Sequence, residues 1–210
     1  SAAHDLKAEL TGEPGRFTLA LTGQLRLPEL NWQGRITQLT ARETPAGAWA
    51  LVQPVALQAS AQQARLENAC LASAPARLCI QGQWSGAQGV NGRLQLTNLT
   101  PERFKSFLPN GVDLATSVNA EATASGKPGG AMQAQIKLNL APGTLRMMTE
   151  GQTLRFTLKS GSLQVNTDGR TATGQAQLDL AQTGKLQANV GVQEPLGTAR
   201  LDGNINAAIT

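Results

Sequence analysis

Tyrosine is absent from this chain of 210 residues, and its four Phe and three Trp amount to only 3% of it. So few rings leave a tightly packed aromatic sandwich core hard to fill. Histidine is almost absent too. His4 is the only one and is expected in a frayed N-terminus, which removes His-based triads and multi-His metal centres. Charged residues make up 15%, and the 14 acids are scattered along the chain. Glu29, Asp113, Glu121 and Asp179 therefore read as solvated outer-face residues. Asp113 and Glu121, which flank a polar stretch, are the first pair to examine for a carboxylate couple built from distant strands. Gly126, Gly129 and Gly130 surround a Lys-Pro pair in a turn and open no helix, so no phosphate-cradling loop is present. The net charge of +4 is spread over residues such as Arg16, Arg35, Arg65, Arg93, Lys137 and Arg170. Without a basic stripe interleaved with stacking rings, nucleic acid is not an expected partner. No catalytic residue, cofactor or metal is expected.

Cysteine is scarce as well, with Cys70 and Cys79 alone. Their separation suits a disulfide across a strand-turn-strand around Pro75, which points to an oxidising compartment; two buried free thiols are the other reading. Zinc would need ligands the chain does not supply. No apolar run reaches the roughly 20 residues that a membrane-spanning helix needs. The sequence opens Ser-Ala-Ala-His, and alternation is already under way at Leu6 and still running at Leu201, Ile205 and Ile209. A mature exported protein or an excised piece is expected, and the missing caps favour the piece.

What the chain does have is period-two alternation. In residues 131–140, Met132, Ala134, Ile136, Leu138 and Leu140 fall on one side of a strand, and Gln133, Gln135, Lys137 and Asn139 on the other. The parity recurs at Leu6/Ala8/Leu10, Phe17/Leu19/Leu21, Leu94/Leu96 and Val118/Ala120/Ala122. It continues at Leu154/Phe156/Leu158, Leu163/Val165, Ala176/Leu178/Leu180 and Leu186/Ala188/Val190. The expected fold is all-β, a long curved antiparallel sheet with one apolar side. Many residues of that side are Ala, which leaves room that a folded core should not waste. An exposed apolar wall of this extent marks a binding surface. Candidates for contact there are Leu19, Leu21, Leu94, Leu96, Met132, Ile136, Leu138, Leu140, Leu154, Phe156, Leu158, Leu178 and Leu180. A closed sandwich filled by its own side chains would give the same alternation and a passive structural module.

Turn signals recur at Gly12-Glu13-Pro14-Gly15, Thr44-Pro45-Ala46-Gly47, Asn91-Gly92, Asp168-Gly169 and Asp202-Gly203. They divide the chain into roughly fourteen strands, which at about 4.8 Å each give a sheet on the order of 65 Å long. The hairpin Leu163 to Leu180 is the clearest. One segment breaks the pattern. Thr100-Pro101 opens a short helix near 100–108, which ends at Pro109-Asn110-Gly111. It lays Phe104, Phe107 and Leu108 on the apolar side, as a plug over a local core or as a lid between stretches of groove. The expected organisation is a groove segment over 1–98 with the pinned loop at 70–79, the helix and turn over 99–110, and a second groove segment over 111–210.

The run Cys70-Leu71 to Leu78-Cys79-Ile80-Gln81-Gly82-Gln83-Trp84, then Leu99 to Phe104-Lys105-Ser106-Phe107-Leu108-Pro109, then Val112-Asp113-Leu114 and Val118-Asn119-Ala120-Glu121-Ala122 to Gly126 resembles the TamB family. These are inner-membrane components of the translocation and assembly module of Gram-negative bacteria, grouped with the AsmA-like, bridge-like lipid-transfer proteins. The resemblance is specific from about 70 to 145 and compositional elsewhere; Ser117 stands where such repeats more often have Gly. It implies an N-terminal membrane anchor outside this sequence, a periplasmic rod of β-taco type with an apolar lumen, and a TamA-like outer-membrane barrel as partner. It also implies one of two jobs: carrying phospholipid acyl chains between the inner and outer membranes, or helping autotransporters and other nascent β-barrel proteins assemble. In the second, an unpaired edge such as 199–209 would pair with a partner strand. The simpler explanation of such an edge is that neighbouring strands were cut away there.

Overall fold

Most alternating runs pair with the next run across a short turn, and among the described residues sixteen strands form one antiparallel sheet. The structure is a computed structural model. It describes residues 2–13, 15–101, 103, 105, 108–149, 151–181, 184–193 and 200–208, without the side chains of 2 and 200–208. The first eight strands are β1 (Ala2–Gly12), β2 (Gly15–Arg26), β3 (Asn31–Arg42), β4 (Trp49–Leu51), β5 (Val55–Ala59), β6 (Gln63–Ser73), β7 (Ala76–Ser85) and β8 (Gly89–Leu99). The remainder are β9 (Val112–Ala115), β10 (Val118–Gly126), β11 (Met132–Leu140), β12 (Gly143–Thr149), β13 (Gln152–Thr167), β14 (Thr171–Leu180), β15 (Gly184–Gln193) and β16 (Arg200–Ala208). There are sixteen rather than about fourteen because β4 and β9, of 3 and 4 residues, are too short for alternation to show. The chain divides into two compact units, residues 1–95 with 125–130, and 96–124 with 131–210.

In the first unit, residues opposite one another share a face, so pairing propagates the apolar side from strand to strand. Leu6, Leu21, Ile36 and Val55 form one row across β1, β2, β3 and β5. Leu10, Phe17, Ala41 and Trp49 form another. Two bulges keep this face apolar where the sequence changes parity. After Ile36 the apolar residues move to odd numbers, and the register shift between Ala20 and Leu21 inserts Thr37 so that Leu39 stays opposite Leu19. The Thr37 hydroxyl donates to the Ala20 carbonyl at 3.3 Å. A second shift sets Glu67 and Asn68 against Gln81 and turns Ala69 and Leu71 to the side Leu66 faces. Without these extra residues each later apolar side chain would face the wet side. β4 and β5 together act as one interrupted strand between β3 and β6, broken at Pro54, which has no N–H for a ladder. Buried Ile36, Val55 and Ala69 form the unit's core, with Leu19, Leu21, Leu39, Leu51, Leu57 and Leu66 packed on it. His4 lies within β1 opposite Gly23, a correction to the frayed end expected for it. Eleven paired residues of β1 hold it in place.

In the second unit the rows are Ile136–Val165–Gly174–Val190, Leu138–Leu163–Ala176–Ala188 and Leu140–Gly161–Leu178–Leu186. Gly161 is needed there. A Cβ on it would stand 2.8 Å from the Leu140 side chain and 2.9 Å from that of Leu178, two leucines that close over it. β13 is one strand of 16 residues with a register shift between Leu158 and Ser160, so Leu158 and Gly161 face the same way. Its first half pairs with β12 and its second with β11. At the same level β9 gives way to β10 at Thr116-Ser117, and β11 to β12 at Ala141-Pro142. The Ala141 N–H donates to the Ser117 carbonyl at 2.9 Å and the Ala181 N–H to the Thr157 carbonyl at 2.9 Å, so the crease costs few backbone bonds. Leu158 and Leu180, opposite each other at the crease, are 2% and 6% exposed. Burying a leucine this fully contributes about 1.5–3 kcal/mol.

The segment after β8 holds a short helical stretch of 3-10 type. Pro101, Arg103 and Lys105 carry that conformation, with i to i+3 bonds from the Arg103 N–H to the Thr100 carbonyl at 3.2 Å and from the Leu108 N–H to the Lys105 carbonyl at 3.3 Å. Leu108 is half-buried. Phe104 and Phe107 lie outside the described residues.

Candidate functional site

Burial follows the register in each unit. In β8, half-buried Leu94 and Leu96 alternate with exposed Arg93, Gln95 and Thr97. Asn98 then takes a left-handed backbone (φ 54°), and Leu99 rather than Asn98 is buried. Of the large apolar side chains that stay exposed, Leu6, Leu10, Phe17, Ile80 and Trp84 lie on the apolar face of the first unit. Met132, Ile136, Met147, Leu154, Leu186 and Val190 lie on that of the second. Met148, 67% exposed, is on the opposite face, and Leu27, Leu30 and Val52 sit in connections.

The sequence-derived candidates separate into two groups. Met132, Ile136 and Leu154 are open to solvent at 39%, 42% and 44%, and Leu19, Leu21, Leu138, Leu140, Phe156 and Leu178 are half-buried on the same faces. Leu158 and Leu180 are closed off inside the second unit and act as its packing. Several wall residues escaped sequence reading, among them Ile36, Leu39, Leu57, Leu66, Leu71 and Ile80. Their parity is broken by the bulges, so period-two counting does not join them. All three tryptophans also face this side in the first unit. The Trp32 indole lies across two glycines of adjacent strands: a Cβ at Gly23 would be 2.7 Å from its Cε2, and one at Gly34 2.6 Å from its outer ring carbon. The Gly23/Gly34 pair, opposite in register, was the available signal for this ring. The Trp49 indole N–H donates to the Ala46 carbonyl at 3.1 Å, which leaves its apolar body for the wall.

The other face is polar. Cys70 and Cys79, directly opposite on β6 and β7, form a disulfide on the side away from Leu71 and Leu78. Gln135 donates from its side-chain amide to Asn166 at 2.9 Å. Asp113 stands 4.0 Å from Arg146, both half-exposed, and Glu121 is exposed on β10. The Asp168 carboxyl is held below its usual value, first by the Thr171 N–H and then by that of Arg170, which reach Oδ1 at 2.7 and 2.9 Å. Among the described residues no three His, Cys, Asp or Glu come together, and no helix is long and apolar enough to cross a membrane.

The exposed area is large for the mass. The chain presents 13871 Å², against roughly 9,300 Å² for one compact monomer of this size and roughly 11,200 Å² for two separate compact halves. Surface that such bodies would bury stays open, and large apolar side chains on one face of each unit are part of it. Residues 1–208 match the family model described as TamB, N-terminal domain. No solved structure matches the chain.

Proposed function

We propose, from the premise that this chain belongs to the TamB family, that the apolar faces of its sheet shield phospholipid acyl chains in transit between the inner and outer membranes. The family is a bridge-like transport and assembly module, anchored in the inner membrane and spanning the periplasm, and is associated with the translocation and assembly module. The observation that carries the reading is the set of solvent-open apolar side chains on one face of each unit, among them Leu6, Phe17 and Trp84 in the first and Met132, Ile136 and Leu186 in the second. Monomeric proteins seldom expose contiguous apolar patches beyond a few hundred Å² unless something binds them. The wall offers aliphatic groups and indole bodies without converging charges, which suits acyl chains and does not select a headgroup. Because apolar attraction is non-directional, such a wall holds a chain without fixing its position, so lipid can advance by sliding.

A second reading draws on the sheet's margins. Among the described residues the strand order runs from β1 to β16, each paired on one side only, and β9 pairs with β12 alone. Such edges accept a further strand, as a template for a nascent barrel or a joint to a TamA-like barrel would require. The test places a photo-crosslinking amino acid at Ile136 and, separately, at Gln135 in the full-length protein in cells, with captured material identified by mass spectrometry. Lipid at 136 and none at 135 is the expected result. Lipid at neither position, with protein strands captured by crosslinkers on β1 or β9, overturns the lipid reading in favour of the second.

A further inference from the structure

The polar face of the second unit carries amide side chains in two adjacent rows. Register aligns Gln164, Gln175 and Asn189 in one row across β13, β14 and β15, and Ser162, Gln177 and Gln187 in the next. These six residues, with Ala176 of β14 between them, line a groove of about 320 Å³, at the lower end of the range for small-ligand sites. The lining contains no charged and no aromatic residue. One row further along β13, Asn166 is engaged by Gln135, whereas the five amides of the groove make no side-chain hydrogen bond among the described residues.

The chemistry of the lining narrows its ligand. A primary amide presents donors and an acceptor in one plane, and a hydroxyl is both donor and acceptor, so neighbouring hydroxyls on a sugar ring satisfy an amide at two points. The rows repeat at about 4.8 Å across strands and about 6.6 Å along them, which offers such pairs at regular intervals to an extended chain. A phosphate polymer would need cations here, an apolar ligand would strip water from the amides without replacing its bonds, and a peptide strand would need side-chain pockets. We propose that this amide-lined groove binds an uncharged, hydroxyl-rich glycan chain, on the face opposite the apolar wall and independently of any lipid there.

The experiment is an NMR titration of the full chain with the hexamer of β-1,4-linked N-acetylglucosamine and, separately, with the glucose hexamer. Amide shifts should cluster at 162–164, 175–177 and 187–189. Gln177→Ala and Asn189→Ala should each raise Kd about fivefold, the loss of roughly one hydrogen bond, and Gln24→Ala on the polar face of the first unit should leave it unchanged. All three polar side chains are exposed, so unchanged thermal melting will show that the variants keep the fold. No shift with either sugar up to about 10 mM, weaker than any useful affinity, overturns the proposal. So does binding that Gln177→Ala and Asn189→Ala leave intact, or a stronger response to an uncharged extended peptide of similar length.

Discussion

Replacing Gly23 by alanine tests the placement of Trp32 on the apolar wall. The added methyl would lie 2.7 Å from Trp32 Cε2 and 2.8 Å from the Gln33 carbonyl oxygen, against a comfortable separation of about 3.5–4.0 Å. The carbonyl belongs to the β3 ladder and has little freedom, so the indole must lift by about 1 Å or swing away. Overpacking of this kind costs about 1–3 kcal/mol. A ring that left the sheet altogether would return about 100 Å² of apolar surface to water, or about 2.5 kcal/mol at 25 cal/mol per Å². At about 2–4 °C per kcal/mol for a chain of this length, Tm should fall by about 2–12 °C. In a Trp49→Phe, Trp84→Phe background the emission of Trp32 should shift to the red as its ring enters water. Gly12→Ala is the control. Nothing stands within 4 Å of a Cβ there, so it should be neutral or slightly stabilising. If Gly23→Ala melts with Gly12→Ala and its emission does not move, the indole does not lie over Gly23 and the reasoning fails.

Joint Cys70→Ser and Cys79→Ser substitution should lower stability by about 2–3 kcal/mol, the chain entropy of a loop with sequence separation 9, read as a lower midpoint in urea with unchanged slope; an unmoved midpoint would make the bridge energetically idle. Deleting Thr37 should shift Leu39 and Ala41 to the polar face and bring aggregation or loss of the cooperative transition, whereas Thr37→Ala, which keeps the residue count and loses the bond to Ala20, should cost under about 1 kcal/mol. Equal behaviour of the two would show that the bulge does not set the register. Because the Asp168 pKa is lowered from 3.8, the support it gives the β13–β14 turn is present above that pH and lost as pH falls through the lowered value. Amide exchange at Arg170 and Thr171 should therefore speed up, relative to its intrinsic rate, on acidification in the parent and show no such dependence in Asp168→Ala.

The sequence made the strands of the second unit legible where a single parity runs unbroken. Ile136, Leu138 and Leu140 on β11 and the Leu163 to Leu180 hairpin fall where alternation and the Asp168-Gly169 turn put them. Gly169 takes φ +87° there, a backbone that glycine adopts without strain. The candidate wall was legible to the same extent. Leu154, Phe156 and Leu158 keep even numbers and Leu163 and Val165 odd ones, so they read as separate runs, although one strand carries both with Lys159 as the extra residue. An inserted residue within a strand and a turn between strands look alike in sequence. Only the partner strand's register separates them.

Composition and period therefore determined the class of this protein by themselves. With no Tyr, little charge and alternation throughout, the chain forms sheet with one apolar side, because side chains on a strand have only two directions to point. Tertiary structure decided which side chains remain exposed on that side. Leu158 and Leu180 disappear into a crease while Ile136 and Leu154 stay in water, although all four carry the same sequence signal. The difference arises from long-range pairing, the shift at Lys159 and the bend at Pro142, which set how closely distant strands approach each residue. That distance depends on contacts far apart in the chain, and no local pattern encodes it.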